Sequence, residues 1–481
     1  MIRFISSLSQ TKRTLLLSLI GLVIAVGISF LTVASIVGPV LLVVAAFFVI
    51  YILLLARNPS LGLSALIVYC FTMGLFSRET SSAIPFGIGI EVFLLLAWII
   101  VIIMHNEFDW KNINNPLTKV MLVWFIISCV ELINPAGASV RGWLQEVRST
   151  ALFPILAIPL VFLLYNSESK LNLFIILIIS LSFLAALNGI KQQHIGLSPG
   201  EQRFLDEGGS ITHMLWGKLR VFSFYSDAGQ FGASQAAFIL TAVMLALGPF
   251  KTWIRIAMLI LSVFFVYGML ISGTRGALFA LVVGAFIAIT LTKNIKVLAL
   301  GIVGAAMCLF VLKYTSIGSG NYAIHRMRTA LDPKEASLNV RLQNQQILAE
   351  YLKTRPFGGG LGVIGAWGKE YNKDKFLSTV EPDSYWVKLW AMYGIVGFTF
   401  WFCMMMYLLG KCCGIIWKIR NAKLRYKAIA LLSSTAGLFF CSYGNEVMNA
   451  MPSAIVVWIS LAFIFMCPKF DEKHEPKFLN V

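Results

Sequence analysis

Runs of apolar residues long enough to cross a bilayer recur along nearly the whole chain, and they restrict the fold more than any other feature. About fourteen stretches of roughly 17–22 residues, the length an α-helix needs to cover ~30 Å of hydrocarbon, fall near 15–35, 38–56, 60–76, 87–104, 117–133, 150–165, 171–190, 229–248, 254–272, 276–292, 296–312, 386–409, 427–444 and 451–467. A length of 481 residues alone would suggest about three soluble domains, but 58% hydrophobic residues make it one membrane body. The expected fold class is an all-α polytopic membrane protein with about 12–14 transmembrane helices.

Charge sets the orientation. The first run follows Lys12 and Arg13 as in a signal sequence, yet it is long enough to span and shows no evident cleavage site, so we read it as a retained helix. With the N-terminus cytoplasmic, the twelfth span ends inside, where "GKCCGIIWKIRNAKLRYK" (410–427) carries six basic residues and no acid, as the positive-inside rule requires. The resulting organisation is transmembrane helices 1–11 over residues 1–312, with an outer loop at 191–228; a large outer loop at 313–385; transmembrane helices 12–14 over 386–467; and a cytoplasmic tail at 468–481. In a bacterial inner membrane the outer side is the periplasm, and the two long loops there should carry the function. The larger contains an amphipathic helix, "SLNVRLQNQQILAEYLKT" (337–354), with Val340, Ile347, Leu348, Tyr351 and Leu352 at helical spacing, stopped by Pro356 and Gly358 to Gly360.

A net charge of +17 raises nucleic acid as a partner, but the basic residues fall in the loops between spans, where membrane proteins keep them for orientation and for the inner lipid surface. Membrane lipid is the expected partner and nucleic acid is not. Eight cysteines, mostly inside apolar runs, show neither C-x-x-C nor Cys/His spacing, and five histidines form no ligand pattern, so no metal and no cofactor is expected.

Arg141, Arg148, Arg203, Arg220, Arg275, Arg326, Arg328, Arg341 and Arg355 are all assigned to the outer side, where orientation alone would make arginine scarce. Arginine presents a planar fork of donors that suits phosphate oxygens; equally, long loops escape the orientation bias and their arginines pair with acids. Arg275 differs, because "ISGTRGALFA" (271–280) joins two spans by a turn that stays near the membrane surface, where a guanidinium needs a partner, between Gly273 and Gly276, which let a backbone or a ligand come close. Arg220 opens "RVFSFYSDAGQFG" (220–232), in which Asp227 suits a helix cap or a salt-bridge partner. "PFGGGLG" (356–362) is a helix terminator whose N–H groups could assist a phosphate. Glu91 and Glu446 read as interhelical partners or acceptors for substrate hydroxyls. In "EPDSYWVKLWAMYG" (381–394), Glu381 and Asp383 precede an apolar run; Asp383 is either an N-cap or a positioned proton acceptor at the lipid–water boundary.

Three segments taken together, "RVFSFYSDAGQFG", "ISGTRGALFALVVG" and the stretch from the Arg341 helix through "RPFGGGLG" to "EPDSYWVKLWAMYGIVG", resemble the O-antigen ligase and polymerase family of bacterial inner-membrane glycosyltransferases. Ser384, Gly394 and Gly397 fit the spacing of the family's loop-end motif, with Asp383 where that motif has histidine. The resemblance implies transfer of a glycan from an undecaprenyl-diphosphate carrier to an acceptor hydroxyl, of lipid A core in a ligase or of a growing glycan in a polymerase. It implies Arg275 and Arg220, with Arg341, on the donor pyrophosphate and Asp383 as base, supported by Glu381, Ser384, Gly273 and Gly276. The chemistry expected is inverting and metal-independent. A flippase for lipid-linked oligosaccharide is the alternative from another class, but the arginines cluster on one side only.

Overall fold

The computed structural model describes residues 10–31, 48–80, 86–293, 303, 307, 310, 313–316, 320, 322–329, 336–382 and 384–473. They are almost entirely helical. We label the main helices α1 Gln10–Leu31, α2 Phe48–Arg57, α3 Leu61–Glu79, α4 Ile88–Ile103, α5 Pro116–Val130, α6 Val140–Leu164, α7 Glu168–His194, α8 Ala228–Leu247, α9 Thr252–Ile271, α10 Gly276–Leu291, α11 Ala336–Leu352, α12 Tyr385–Lys418, α13 Ala422–Cys441 and α14 Ser453–Glu472. Among the described residues eight helices are long and apolar enough to cross a membrane, and α2, α4 and α10 are shorter apolar helices. The chain is a polytopic helical membrane protein.

The helices follow the apolar runs closely, with instructive exceptions. The run at 38–56 is described only from residue 48, and the run at 296–312 lies outside the described residues apart from isolated positions. The sixth helix begins at Val140 rather than near 150, passing through one π-helical turn at Arg148–Leu152. The basic stretch expected as a loop from 410 is instead the end of α12, which continues to Lys418 because Cys412 and Ile416 are buried against the bundle. Only a short connection precedes α13, which Asn421 caps, and Asp471 of α14 holds that connection by accepting from the N–H groups of Arg420 and Asn421, both at 2.9 Å.

The core is built on α8, which is buried along almost its whole length and packs against α9, α10 and α13. In lipid, helix association depends on close approach and interhelical hydrogen bonds rather than on hydrophobicity, and small residues permit both. A Cβ on Gly232 would fall 2.2 Å from Ser272 Oγ, and one on Gly437 would fall 2.6 Å from the Ala280 carbonyl, so α8 and α13 touch their neighbours at backbone distance. Thr241 and Ser434 join α8 to α13 at 2.7 Å, and Gln235 donates to Ser182 of α7 at 3.0 Å.

One helix is broken. At Gly394 (φ 65, ψ −171) the backbone of α12 leaves helical geometry, which only glycine does freely. The glycine-rich loop fills the break: Gly359 N–H donates to the Ala391 carbonyl and Gly360 N–H to the Met392 carbonyl, both at 2.9 Å, and Val396 N–H returns to the Pro356 carbonyl at 3.2 Å. The N–H groups of Gly359 and Gly360, two of those the sequence offered to a phosphate, are therefore consumed in restoring the helix. Non-helical backbone at this depth is tolerated when it is satisfied by protein in this way.

Candidate active site

The N-termini of α8, α10 and α12 and the C-termini of α9 and α13 converge at one end of the bundle. There the chain between α7 and α8 folds over the helix ends: a short hairpin, β1 Met214–Leu215 and β2 Lys218–Leu219, returns the backbone to Arg220. Arg220 and the α9–α10 turn are stitched together, since Val221 N–H donates to the Ile271 carbonyl (3.2 Å), Arg220 Nη2 to Thr274 Oγ1 (3.4 Å), and Thr274 Oγ1 to the Ala228 carbonyl (2.7 Å). Gly273, at φ 60, lets the turn close beside the Arg220 and Arg326 side chains. A Cβ on Gly276 would meet Asn445 Nδ2 at 3.1 Å, which brings α10 against the turn between α13 and α14.

A cavity of about 450 Å³ opens here, within the size of small-molecule sites. Its lining includes Arg220 and Arg341, Asp227 and His213, and Asn445, Glu446 and Asn449 from the α13–α14 turn. Burial pushes the Arg220 guanidinium below the usual arginine range. Asp227 and Tyr322 oppose the shift, and the like charges of Arg275 and Arg341 add to it. Arg275 and Arg341, from two other segments of the chain, are thus each within electrostatic reach of Arg220, and Arg220 Nε has no hydrogen-bond partner in the protein. Partly desolvated guanidiniums gathered this way favour an anion with oxygens for more than one fork.

Asp227 caps α8, accepting from Gln230 N–H at 2.9 Å, as its place before the helix suggested. His213 supports the same end: its Nε2 accepts from Ala228 N–H at 3.2 Å, and Nδ1 lies 2.9 Å from the Gly209 carbonyl, which places the proton on Nδ1. Burial is the main reason its pKa lies below the usual histidine value.

Several assigned residues take other places. Asp383 lies outside the described residues. The cap of α12 is Ser384, whose Oγ accepts from Val387 N–H (3.3 Å), so the capping reading of Asp383 is corrected in favour of its neighbour. Ser384 Oγ also donates to the Ser442 carbonyl (3.3 Å), and Asn344 of α11 donates to the Glu381 carbonyl (3.4 Å), so the chain on either side of position 383 is tied to α11 and to the end of α13. The Glu381 side chain is exposed and pairs with Lys369. Arg148 forms a two-pronged pair with Glu91, and Arg355 lies over Tyr351, 4.1 Å from the ring centre, so these outer arginines do structural work. On α11 only Leu348 and Leu352 of the expected apolar face are buried, Tyr351 is half-buried, and Val340 and Ile347 stay exposed, because the helix rests on the bundle by its C-terminal half.

Sequence reasoning missed two features. Arg78, at the end of α3, reaches across to the backbone carbonyls of Ser223 (2.8 Å), Tyr225 and Ser226 (3.2 Å), packs on Phe204 and Phe222, and so fixes the segment between Arg220 and α8. Behind the cavity, Lys388 of α12 sits between Glu146 and Glu446, its Nζ 3.0 Å from an oxygen of each. The signal was present: a lysine inside an apolar span is a functional candidate by default.

The geometry defines a class, a multi-pass helical membrane protein with an arginine-lined cavity at one end of its bundle. Residues 257–402, from α9 into α12, match the model of the O-antigen ligase family. Members of the family are glycosyltransferase-like ligases and polymerases acting on lipid-linked glycans and acceptors. The matched stretch includes Arg275 and Arg341, while Arg220 and the 445–449 turn lie beyond its two ends. No curated protein matches the chain.

Proposed function

We propose that this protein is an O-antigen ligase-like glycosyltransferase that moves a glycan from undecaprenyl diphosphate to a hydroxyl of lipid A core at the periplasmic face of a bacterial inner membrane, with both termini cytoplasmic. The observation that carries the reading is that Arg220 and Arg341 line one cavity, with Arg275 in electrostatic reach of Arg220, in a chain of which residues 257–402 match this family. The arginines neutralise the diphosphate as it leaves, doing the electrostatic work without a metal. Asp383 takes the acceptor proton as the acceptor oxygen bonds to the anomeric carbon and the carbon–phosphate oxygen bond breaks, inverting that centre. The attachment of the chain on both sides of position 383 to elements that border the cavity supports that assignment. Gly273 and Gly276 serve by fixing the Arg275 turn, and Ser384 by fixing the start of α12.

The test is transfer by purified protein from lipid-linked glycan to lipid A core. Asp383→Ala should lower turnover about 10²–10⁴-fold with donor binding retained, and Arg220→Ala should lower kcat/KM for donor about 100-fold. Near-normal turnover by Asp383→Ala removes the base. In a deletion strain, core without glycan supports the ligase reading, whereas core carrying single repeat units assigns the protein as a polymerase. Movement of carrier lipid across liposomes without sugar transfer would make it a flippase.

A further inference from the structure

The turn from α13 to α14 brings uncharged amides and a carboxylate to the cavity that the arginines share. Asn445, Glu446 and Asn449 face the same space as Arg220 and Arg341. Glu446 is held from behind by Lys388, which also binds Glu146. The Lys388 and Glu146 side chains are 6% and 0% exposed, whereas Glu446 keeps 34% and lines the cavity. Asn449 belongs to the same network: its Nδ2 donates to Glu146 at 3.1 Å, while its Oδ1 has no hydrogen-bond partner.

Two carboxylates share one ammonium here, so the network presents a carboxylate to the cavity while the guanidiniums remain for an anion. An uncharged group rich in hydrogen-bond donors and acceptors fits: a carboxylate beside side-chain amides satisfies neighbouring hydroxyls of a sugar. Stability does not require this arrangement, since a buried ion pair seldom holds helices better than apolar side chains of the same size. What the clamp does provide is a fixed direction for the Glu446 carboxylate.

We propose that Asn445, Glu446 and Asn449 form a sugar-hydroxyl subsite, with Lys388 as the residue that positions it. The inference rests on the reading that the arginines take the diphosphate of a lipid-linked glycan. The hydroxyls belong to the first sugar of the donor or to the acceptor, and the experiment separates the two. Full-length protein in nanodiscs is titrated with undecaprenyl diphosphate and with undecaprenyl diphosphate N-acetylglucosamine, and the KM for lipid A core is measured in the transfer reaction. Glu446→Gln should bind the sugar-free lipid within about twofold of the wild type and lose about tenfold either in affinity for the sugar-bearing lipid or in acceptor KM. The arm that moves names the source.

The pair Lys388→Met/Glu146→Gln removes the clamp without leaving a buried charge and should reproduce the same selective loss, which a purely structural lysine would not. If Glu446→Gln leaves both arms within about twofold of the wild type, less than ~0.5 kcal/mol by the affinity scale, the subsite is overturned and the donor reading stands. Binding of neither lipid by the wild type overturns the donor reading and this subsite with it.

Discussion

Lys388→Met is the substitution whose cost the structure specifies best. Methionine fills nearly the same space, so packing changes little and the effect is electrostatic. Glu146 is 0% exposed and would be left with two neutral donors, Asn449 Nδ2 at 3.1 Å and Thr150 Oγ1 at 3.3 Å. Removing one partner of a buried pair costs about 3–5 kcal/mol, because the other charge remains buried. Glu446, at 34% exposure, has water available and should contribute little of this. The cost should therefore be relieved selectively: Lys388→Met/Glu146→Gln should return to within about 1 kcal/mol of the wild type, while Lys388→Met/Glu446→Gln should recover less than about half of the loss. Equilibrium unfolding of the reconstituted protein gives the ordering. A single Lys388→Met variant as stable as the wild type, or equal rescue by the two glutamines, would refute the reasoning.

Gly394→Ala should destabilise by about 3–5 kcal/mol, combining backbone strain with the loss of the loop's hydrogen bonds, since its Cβ would fall 2.1 Å from the Pro356 carbonyl oxygen. Gly410→Ala, on the same helix with nothing within 4 Å, should be neutral or stabilising by about 0.5–1 kcal/mol, and thermal midpoints compare the two. His213 has a folded pKa below its unfolded value of about 6.5, so its contribution is present above that pH and is lost as pH falls toward the lowered value. Proteolysis of the 209–228 segment should accelerate on acidification through that window and should not do so in His213→Gln. Transfer activity should survive EDTA, and complete loss that is restored by a divalent ion would show that the arginines do not suffice.

The membrane helices were legible because a span must be apolar over its full length, and the Asp227 cap because capping is local. Ser384 was hidden by its more acidic neighbour, although either residue suits a cap. The Lys388 clamp escaped because the strong hydropathy of "SYWVKLWAMYG" outweighs one charge, and its partners lie 242 positions before and 58 after it in the numbering. The glycine-rich loop read only as a helix terminator with N–H groups to spare, because nothing local shows that the helix broken at Gly394 takes them up. Arg78 carries no local signal, and only the fold reveals which carbonyls it reaches.

The filled break in α12 has a mechanical meaning. The chain that enters it leaves α11 only a few residues earlier, so the arginine-bearing helix is rooted inside the bundle at its C-terminal side rather than hung from a surface strap. Lifting that root free would break the hydrogen bonds of Gly359 and Gly360 and uncouple the two halves of α12.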